Sequence, residues 1–192
     1  MKENKILYGF LKIIYSSLVT ILYNPKVYGK ENIPKEGAVV FAGNHRHAFD
    51  PVVVMTHTKR FVHYMAKESL FKGLFGFLLK QIGIIKVYRT RNNPLAIEEA
   101  ENVLKSGGTI GIFPEGTRNK ELKEELLRFK HGAVVIAKNT GSKIVPFYIN
   151  GKYKIFRRSL ELHFGKPIDV SNMTVDEANN YLREEVLRLI RK

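Results

Sequence analysis

Short, continuous apolar runs alternate with helical segments along most of this 192-residue chain. The runs at residues 38–42 (AVVFA) and 109–113 (TIGIF) lack the polar alternation of a half-exposed strand, and this is typical of parallel strands buried on both faces. Between runs, Asn93 and Pro94 open a helix as a cap residue followed by proline. The pattern predicts an α/β domain whose mixed sheet is mainly parallel and flanked by helices. The other strands are expected at residues 61–66, 84–88, 143–149 and 160–164.

The N-terminal segment at residues 6–23 is largely apolar or aromatic and is interrupted by Lys12. It has no small-residue cleavage site of the kind that ends a signal peptide. Its uncharged part, residues 13–24, is shorter than the ~20 residues that cross a bilayer. Including Lys12 permits a span only if the lysine reaches back to the interface.

Apolar residues occupy nearly every side of this predicted helix, so we expect it to bind a membrane by lying in the interface of one leaflet. The alternative is a core helix packed on the rest of the protein. We expect residues 1–29 to form a membrane-anchoring segment and residues 30–192 to form one globular domain. The aromatic residues expected near the lipid headgroups are Tyr8, Phe10, Tyr15 and Tyr23.

The formal net charge is +14. Such a surface attracts nucleic acid, anionic lipid headgroups or an acidic carrier protein, and a basic surface without a specific partner is the remaining alternative. No recognisable nucleic-acid motif accompanies the charge, so we expect no nucleic-acid partner. The absence of cysteine excludes disulfides and thiolate metal ligands and suits a cytosolic protein.

The loop after the first apolar run, residues 43–51 (GNHRHAFDP), carries two histidines and an aspartate. A metal site is one interpretation, because His-x-His after a strand begins several hydrolase metal sites. The binuclear sites of that kind continue with an aspartate four residues after the first histidine, whereas Asp50 comes five residues after His45. The remaining histidines show no ligand spacing, so we expect no metal.

Two other interpretations of this loop are compatible with each other. Asp50 can be the N-cap of a helix that begins at Pro51, with Asn44 stabilising the turn through its side chain. Asp50 can also hold one ring nitrogen of His45, which leaves the other nitrogen free to accept a proton. Since no strong nucleophile is nearby, such a pair would activate a substrate hydroxyl.

A second polar loop, residues 113–118 (FPEGTR), also follows an apolar strand. Backbone N–H groups beside the guanidinium of Arg118 suit a phosphate oxygen. A plain turn would need neither Glu115 nor Arg118. Residues 83–89 (GIIKVYR) end another strand with Arg89. An arginine at a strand end is usually solvated, but together with Arg118 it suggests two cations that converge on one anion.

These loops resemble the motifs of the 1-acylglycerol-3-phosphate acyltransferase family, the lysophosphatidic acid acyltransferases of phospholipid synthesis. The family's Asn-His-x-x-x-x-Asp motif is matched at residues 44–50, and its Phe-Pro-Glu-Gly-Thr-Arg motif is matched at every position of residues 113–118. Its glycine-to-arginine motif is matched at residues 83–89, although Lys86 stands where an apolar residue is common. Residues 144–146 match the fourth motif, an apolar stretch around a proline.

The resemblance implies that His45 takes a proton from the acceptor hydroxyl while Asp50 orients the histidine ring. The alkoxide would then attack a fatty acyl thioester, and neither a metal nor a protein-bound acyl intermediate is required. The residues that the resemblance assigns to binding the glycerol phosphate, or to shaping the turn that does so, are Arg89, Glu115, Gly116, Thr117, Arg118 and Lys130.

The resemblance also implies the substrates and the location. The acceptor would be 1-acylglycerol 3-phosphate in the membrane, the donor a thioester of acyl carrier protein or coenzyme A, and the product phosphatidic acid, with no cofactor. Glycerol 3-phosphate, another lysophospholipid or a lyso-aminolipid is the alternative acceptor. We expect the enzyme at the cytoplasmic face of the cell membrane, as a monotopic or single-helix anchored protein. A nucleic-acid-binding module would leave FPEGTR and the apolar N-terminus unexplained.

A second apolar helix is predicted at residues 69–81 (SLFKGLFGFLLKQ). One of its faces is either core, the usual position of such a stripe, or a surface along which a lysolipid enters the enzyme from the bilayer. The residues of this face are Phe71, Leu74, Phe75 and Leu78.

Overall fold

The computed structural model describes residues 3–88, 93–119 and 124–190. Its helices are α1 (Lys5–Leu22), α2 (Asp50–Thr56), α3 (Gly73–Gln81), α4 (Pro94–Lys105), α5 (Gly132–Thr140) and α6 (Val175–Ile190). Its strands are β1 (Lys26–Tyr28), β2 (Val39–Gly43), β3 (Val62–Lys67), β4 (Ile85–Val87), β5 (Thr109–Ile112), β6 (Lys143–Gly151) and β7 (Leu160–Phe164). Two short 3-10 helices lie at Lys30–Asn32 and Glu68–Leu70.

Within these described residues, seven strands form one sheet in the order β1-β7-β6-β2-β5-β3-β4, and each neighbouring pair except β6 and β7 is parallel. Helices α4, α5 and α6 pack on one face of the sheet, where Ile110 and Leu182 are fully buried. Helices α1 and α2 pack on the other face, which buries Phe41 and Phe147. This arrangement confirms the predicted α/β fold with a mainly parallel mixed sheet.

Strand β2 lies in the middle of the sheet between β6 and β5, and all of its residues are buried. Both of its faces are covered by helices, which is why its sequence is an unbroken apolar run. Ala42 of β2 is in register with Ile112 of β5, so the loops that follow these two strands start side by side at the carboxyl edge of the sheet.

Two local features differ from the expectations. Strand β1 lies inside residues 1–29, pairs with β7, and carries no apolar run that would indicate a strand, since it is short and lies at an edge. The helix expected at residues 69–81 begins only at Gly73, because that glycine has a positive φ of 57° that a helix interior does not accommodate. A separate 3-10 turn precedes it.

One face of α1 packs against α2 and the start of β3. Tyr8 is buried, stacks on Phe61, and accepts the Val62 N–H on its hydroxyl at 3.0 Å. Lys12 donates from Nζ to the carbonyls of Thr58 at 2.6 Å and Arg60 at 3.2 Å. The expectation that Tyr8 lies among lipid headgroups is therefore wrong, since protein atoms surround its ring and bond its hydroxyl.

The opposite face of α1 is apolar and exposed. Its residues recur at helical spacing and are Ile6, Phe10, Ile13, Ile14, Leu18 and Ile21. By length and composition α1 is a candidate membrane span, with a mean hydropathy of 1.5 over its 18 residues. On α3, Leu74, Phe75 and Phe77 are exposed and Leu78 is partly buried. Phe71, which precedes the helix, is also partly buried. The structure thus exposes most of the apolar surface of both helices.

Candidate active site

The loops after β2 and β5 meet at the carboxyl edge of the sheet and are joined by hydrogen bonds. The backbone N–H of His45 donates to Oε1 of Glu115 at 2.7 Å. The backbone N–H of Asn119 donates to the His45 carbonyl at 2.7 Å. The position of both loops at this edge agrees with the general placement of sites in open parallel sheets.

Asn44 attaches the first loop to β6. Its side chain is buried and exchanges two hydrogen bonds with the backbone of Ile149: Nδ2 donates to the carbonyl at 2.9 Å, and the Ile149 N–H donates to Oδ1 at 2.7 Å. The amide thereby continues the β2–β6 pairing beyond the end of β2. The expectation that Asn44 stabilises its own turn is wrong, because its side chain bonds to the neighbouring strand.

Asp50 is fully buried and accepts four hydrogen bonds. Its Oδ2 accepts Nδ1 of His45 at 2.9 Å and the backbone N–H groups of Arg46 at 2.6 Å and His47 at 2.8 Å. Its Oδ1 accepts the hydroxyl of Tyr153 at 2.6 Å. The carboxylate therefore organises the whole loop between β2 and α2.

The predicted capping role of Asp50 is wrong. Helix α2 begins at Asp50 itself, and Phe49 occupies the N-cap position without a side-chain hydrogen bond. The reason is that both oxygens of Asp50 face the preceding loop and Tyr153, so neither is free to accept an N–H of the first helical turn. Pro51 does lie at the start of the helix, as expected.

One ring nitrogen of His45 is held by Asp50. Oδ2 of Asp50 already accepts two backbone N–H groups, so it faces Nδ1 of His45 as an acceptor, and we assign the ring proton to Nδ1. Nε2 then keeps its lone pair. The ring stacks on Phe113 with centroids 4.2 Å apart, and the side chain is 19% exposed. This geometry is that of an oriented general base.

Tyr153 is a residue of the site that no sequence motif indicates. It lies in the turn after β6, 103 residues from Asp50, and its ring stacks on His47 with centroids 4.1 Å apart. Burial, followed by the adjacent Asp50 charge, raises the pKa of the Tyr153 hydroxyl well above its usual value. The hydroxyl therefore stays protonated near neutral pH and donates to Asp50.

Glu115 is buried, and both of its oxygens are occupied by backbone donors. Oε1 accepts the N–H of His45, and Oε2 accepts the N–H of Leu127 at 3.0 Å. Burial raises the pKa of the Glu115 carboxyl, and these two N–H bonds oppose the rise. The side chain joins the two active-site loops to the segment that leads into α5.

The last three residues of the FPEGTR turn are exposed. Gly116 has a positive φ of 67°, and Thr117 and Arg118 follow it at the surface. The Lys130 side chain lies over Gly116, since a Cβ added there would come within 2.9 Å of Nζ. Arg118 and Lys130 thus flank one turn. Arg89, the second predicted phosphate ligand, lies outside the described residues.

No group of three His, Cys, Asp or Glu side chains that could hold a metal ion occurs in the described part of the chain. His47 bonds through Nδ1 to the Phe49 N–H at 3.3 Å and stacks on Tyr153. It therefore lies in the loop as a packing partner and not beside His45 as a second ligand.

Comparison with known proteins shows the family to which the chain belongs. A family model described as Acyltransferase matches residues 24–150. The 1-acyl-sn-glycerol-3-phosphate acyltransferase of Borreliella burgdorferi is 33% identical over 177 residues, which cover 84% of this chain and 70% of the relative. The enzyme of the same name from Bacillus subtilis is 31% identical over 168 residues, which cover 84% of this chain and 82% of the relative.

A solved structure has the same fold. The crystal structure of the 1-acyl-sn-glycerophosphate (LPA) acyltransferase PlsC from Thermotoga maritima superposes with a TM-score of 0.76 at 28% sequence identity, covering 97% of this chain and 78% of that one. The chain therefore belongs to the acyltransferase family and groups with its 1-acyl-sn-glycerol-3-phosphate acyltransferases. The family resemblance inferred from the motifs is confirmed.

The Tyr153→Phe variant tests the bond between the tyrosine hydroxyl and Asp50. The ring still stacks on His47, but Asp50 loses one of its four donors, so the loop that orients His45 is held less firmly. We expect kcat to fall about tenfold, as for loss of one hydrogen bond to a charged group, while the KM for the acceptor changes little in steady-state kinetics. Tyr28→Phe, at an exposed tyrosine, is the control. An unchanged kcat would show that Tyr153 has only a packing role.

The Glu115→Gln variant tests whether this residue holds the loops or binds the acceptor. The new amide faces one of the two backbone N–H groups with another donor, so the free energy of unfolding should fall by about 1–3 kcal/mol. Thermal denaturation measures this, with exposed Glu125→Gln as the control. Unchanged stability together with a raised KM for the acceptor would instead support direct acceptor binding, as predicted from the motif.

Proposed function

We propose that this enzyme transfers a fatty acyl group from an acyl thioester to the free hydroxyl of 1-acylglycerol 3-phosphate and so forms phosphatidic acid. The observation that carries the proposal is the contact between Nδ1 of His45 and the buried Oδ2 of Asp50, beside the FPEGTR turn. The names of the relatives from Borreliella burgdorferi and Bacillus subtilis support this acceptor.

His45 acts first as a base and then as an acid in this mechanism. Nε2 takes the proton of the acceptor hydroxyl while the oxygen attacks the thioester carbonyl. Asp50 stabilises the imidazolium that forms, as a carboxylate does beside a catalytic histidine. When the tetrahedral intermediate collapses, the new C–O ester bond remains, the C–S bond breaks, and the proton passes from Nε2 to the leaving sulfur.

The FPEGTR turn would bind the phosphate of the acceptor. Arg118 is exposed beside Gly116, which has no side chain to obstruct a phosphate oxygen, and Lys130 lies over the same glycine. A planar guanidinium binds a phosphate through two parallel hydrogen bonds. Thr117 contributes to the shape of the turn. We propose that Arg89 adds a second cation, and that Glu115 acts by holding the loops because both of its oxygens are occupied.

The donor is proposed to be a thioester of acyl carrier protein or coenzyme A. Both are polyanionic, and the chain carries a net charge of +14. The proton transfer by His45 uses only protein groups and the two substrates, so we propose no cofactor. The same catalytic geometry would serve glycerol 3-phosphate, another lysophospholipid or a lyso-aminolipid, and these are the alternative acceptors.

The apolar helices would bring the enzyme to its lipid substrate. The exposed face of α1 and the exposed side chains of α3 are suited to the interface of a bilayer leaflet. We propose that the protein lies at the cytoplasmic face of the cell membrane. The docking of α1 on α2 favours a helix that lies along the membrane over one that leaves the domain to cross it.

A substrate panel tests the proposal. The purified full-length chain in detergent micelles is given each of the four acceptor classes with acyl carrier protein and coenzyme A donors, and product formation is measured. We expect the highest kcat/KM with 1-acylglycerol 3-phosphate.

His45→Ala should lower kcat on the order of a thousandfold, and Asp50→Asn should add little further loss in the double variant, since the pair acts as a unit. Turnover that survives in His45→Ala would overturn the mechanism.

The Arg118→Ala variant tests the phosphate site separately. Loss of a charge-assisted hydrogen bond should raise the KM for the acceptor about tenfold to a hundredfold and change kcat much less. Steady-state kinetics with varied acceptor measure both constants. Arg188→Ala, at an exposed arginine on α6, is the matched control. A fall in kcat with an unchanged acceptor KM would contradict phosphate binding by Arg118.

A further inference from the structure

The turn between β6 and β7, residues 152–158 (KYKIFRR), combines exposed cations with exposed apolar side chains. Ile155 is 55% exposed and Phe156 is 75% exposed. The turn contains no acidic residue. Its positively charged side chains, all exposed, are Lys152, Lys154, Arg157 and Arg158.

Phe156 is exposed although its backbone conformation is strained. Phe156 has a positive φ of 57°, a conformation that is uncommon for a bulky residue. Its N–H donates to the carbonyl of Leu22 at 2.6 Å, near the C-terminal end of α1. An exposed aromatic ring in a strained conformation gains nothing from burial in the isolated protein, so the arrangement points to an external apolar partner.

The turn is continuous with the exposed apolar face of α1. Ile21, which is 66% exposed, and Phe156 line the same open groove of about 180 Å³, together with Arg157 and Arg158. The apolar face of the helix and the cationic turn therefore form one surface. A partner that fills this groove contacts Ile21, Phe156 and the adjacent arginines.

We propose that the 152–158 turn is a second membrane-contacting element, which inserts Ile155 and Phe156 into the headgroup–acyl boundary while its cations bind anionic phospholipid headgroups. Apolar and aromatic side chains flanked by lysine and arginine are the composition that binds at this boundary. The inference rests on the proposed function, because a lipid acceptor is what brings the enzyme to the bilayer.

The turn would also set the position of the active site relative to the lipid. Tyr153 belongs to it and donates its hydroxyl to Asp50, and the ring of Tyr153 contacts Tyr23 just beyond the end of α1. A bilayer that holds Ile155 and Phe156 thus holds a segment bonded directly to the catalytic loop. Two contacts, at α1 and at this turn, restrict the tilt of the domain that α1 alone would permit.

Vesicle binding by the full-length chain tests the proposal. Sedimentation with vesicles of phosphatidylcholine, with or without phosphatidylglycerol, gives the partition coefficient as lipid is titrated. The variant Lys152→Gln/Lys154→Gln/Arg157→Gln should bind anionic vesicles about a hundredfold less tightly, since each cation near an anionic surface contributes about fivefold. Its affinity for phosphatidylcholine alone should change little.

Phe156→Asn removes the aromatic ring and leaves a residue that tolerates the left-handed backbone, so it should weaken binding to both vesicle types without loss of folding. The controls remove comparable groups elsewhere. Lys35→Gln/Lys59→Gln/Lys143→Gln removes exposed lysines at the opposite edge of the sheet, and Leu95→Asn removes an exposed apolar residue on α4. Both controls should bind as the wild type does.

The proposal is overturned if the triple variant binds anionic vesicles as tightly as the wild type, or if the lysine control loses as much affinity. Unchanged vesicle binding with a raised KM for an acyl carrier protein donor would assign the turn to an acidic protein instead. Vesicle binding is measured without turnover, whereas the proposed function is tested by wild-type turnover in detergent micelles. Membrane contact by the turn and the proposed function can therefore fail independently.

Discussion

The buried carboxylate of Asp50 is the interaction on which the rest of the site depends. Moving a carboxylate out of water costs several kcal/mol, and each bond from a donor to the charged group offsets about 1.5–3 kcal/mol of that cost. Here the donors are the His45 ring, two backbone N–H groups and the Tyr153 hydroxyl. The same four bonds that make the charge tolerable fold the loop and orient the histidine, so stability and catalytic geometry cannot be separated.

The loop is in turn attached to the sheet by side chains that take the place of backbone pairing. Asn44 continues the pairing of β2 with β6, and Glu115 ties the backbone of His45 to Leu127. Parallel strands end at a common edge, where their last backbone groups have no further partner. Buried amide and carboxylate side chains satisfy those groups here. His45, the proposed general base, is therefore held to the sheet by hydrogen bonds although it lies in a loop.

Much of the fold could be predicted because a strand that is buried on both faces has a recognisable sequence pattern. Strands such as β2 are covered on both faces and so have unbroken apolar runs, whereas β1 is a short edge strand without such a run. The pairing of His45 with Asp50 could be proposed from spacing, because five residues in a loop bring the two side chains together. Tyr153 could not, since its contact with Asp50 spans 103 residues and depends on where the turn after β6 folds back.

The sequence by itself determined the architecture, the motifs and the apolar character of α1, because periodicity and local spacing encode all three. Only the tertiary structure decided how each polar group is used: Asp50 holds the loop instead of capping α2, Glu115 bonds two backbone N–H groups, and Tyr8 faces protein and not lipid. The physical reason is that a buried polar group must find a partner, and its partner is whichever group the packing of distant segments brings within reach.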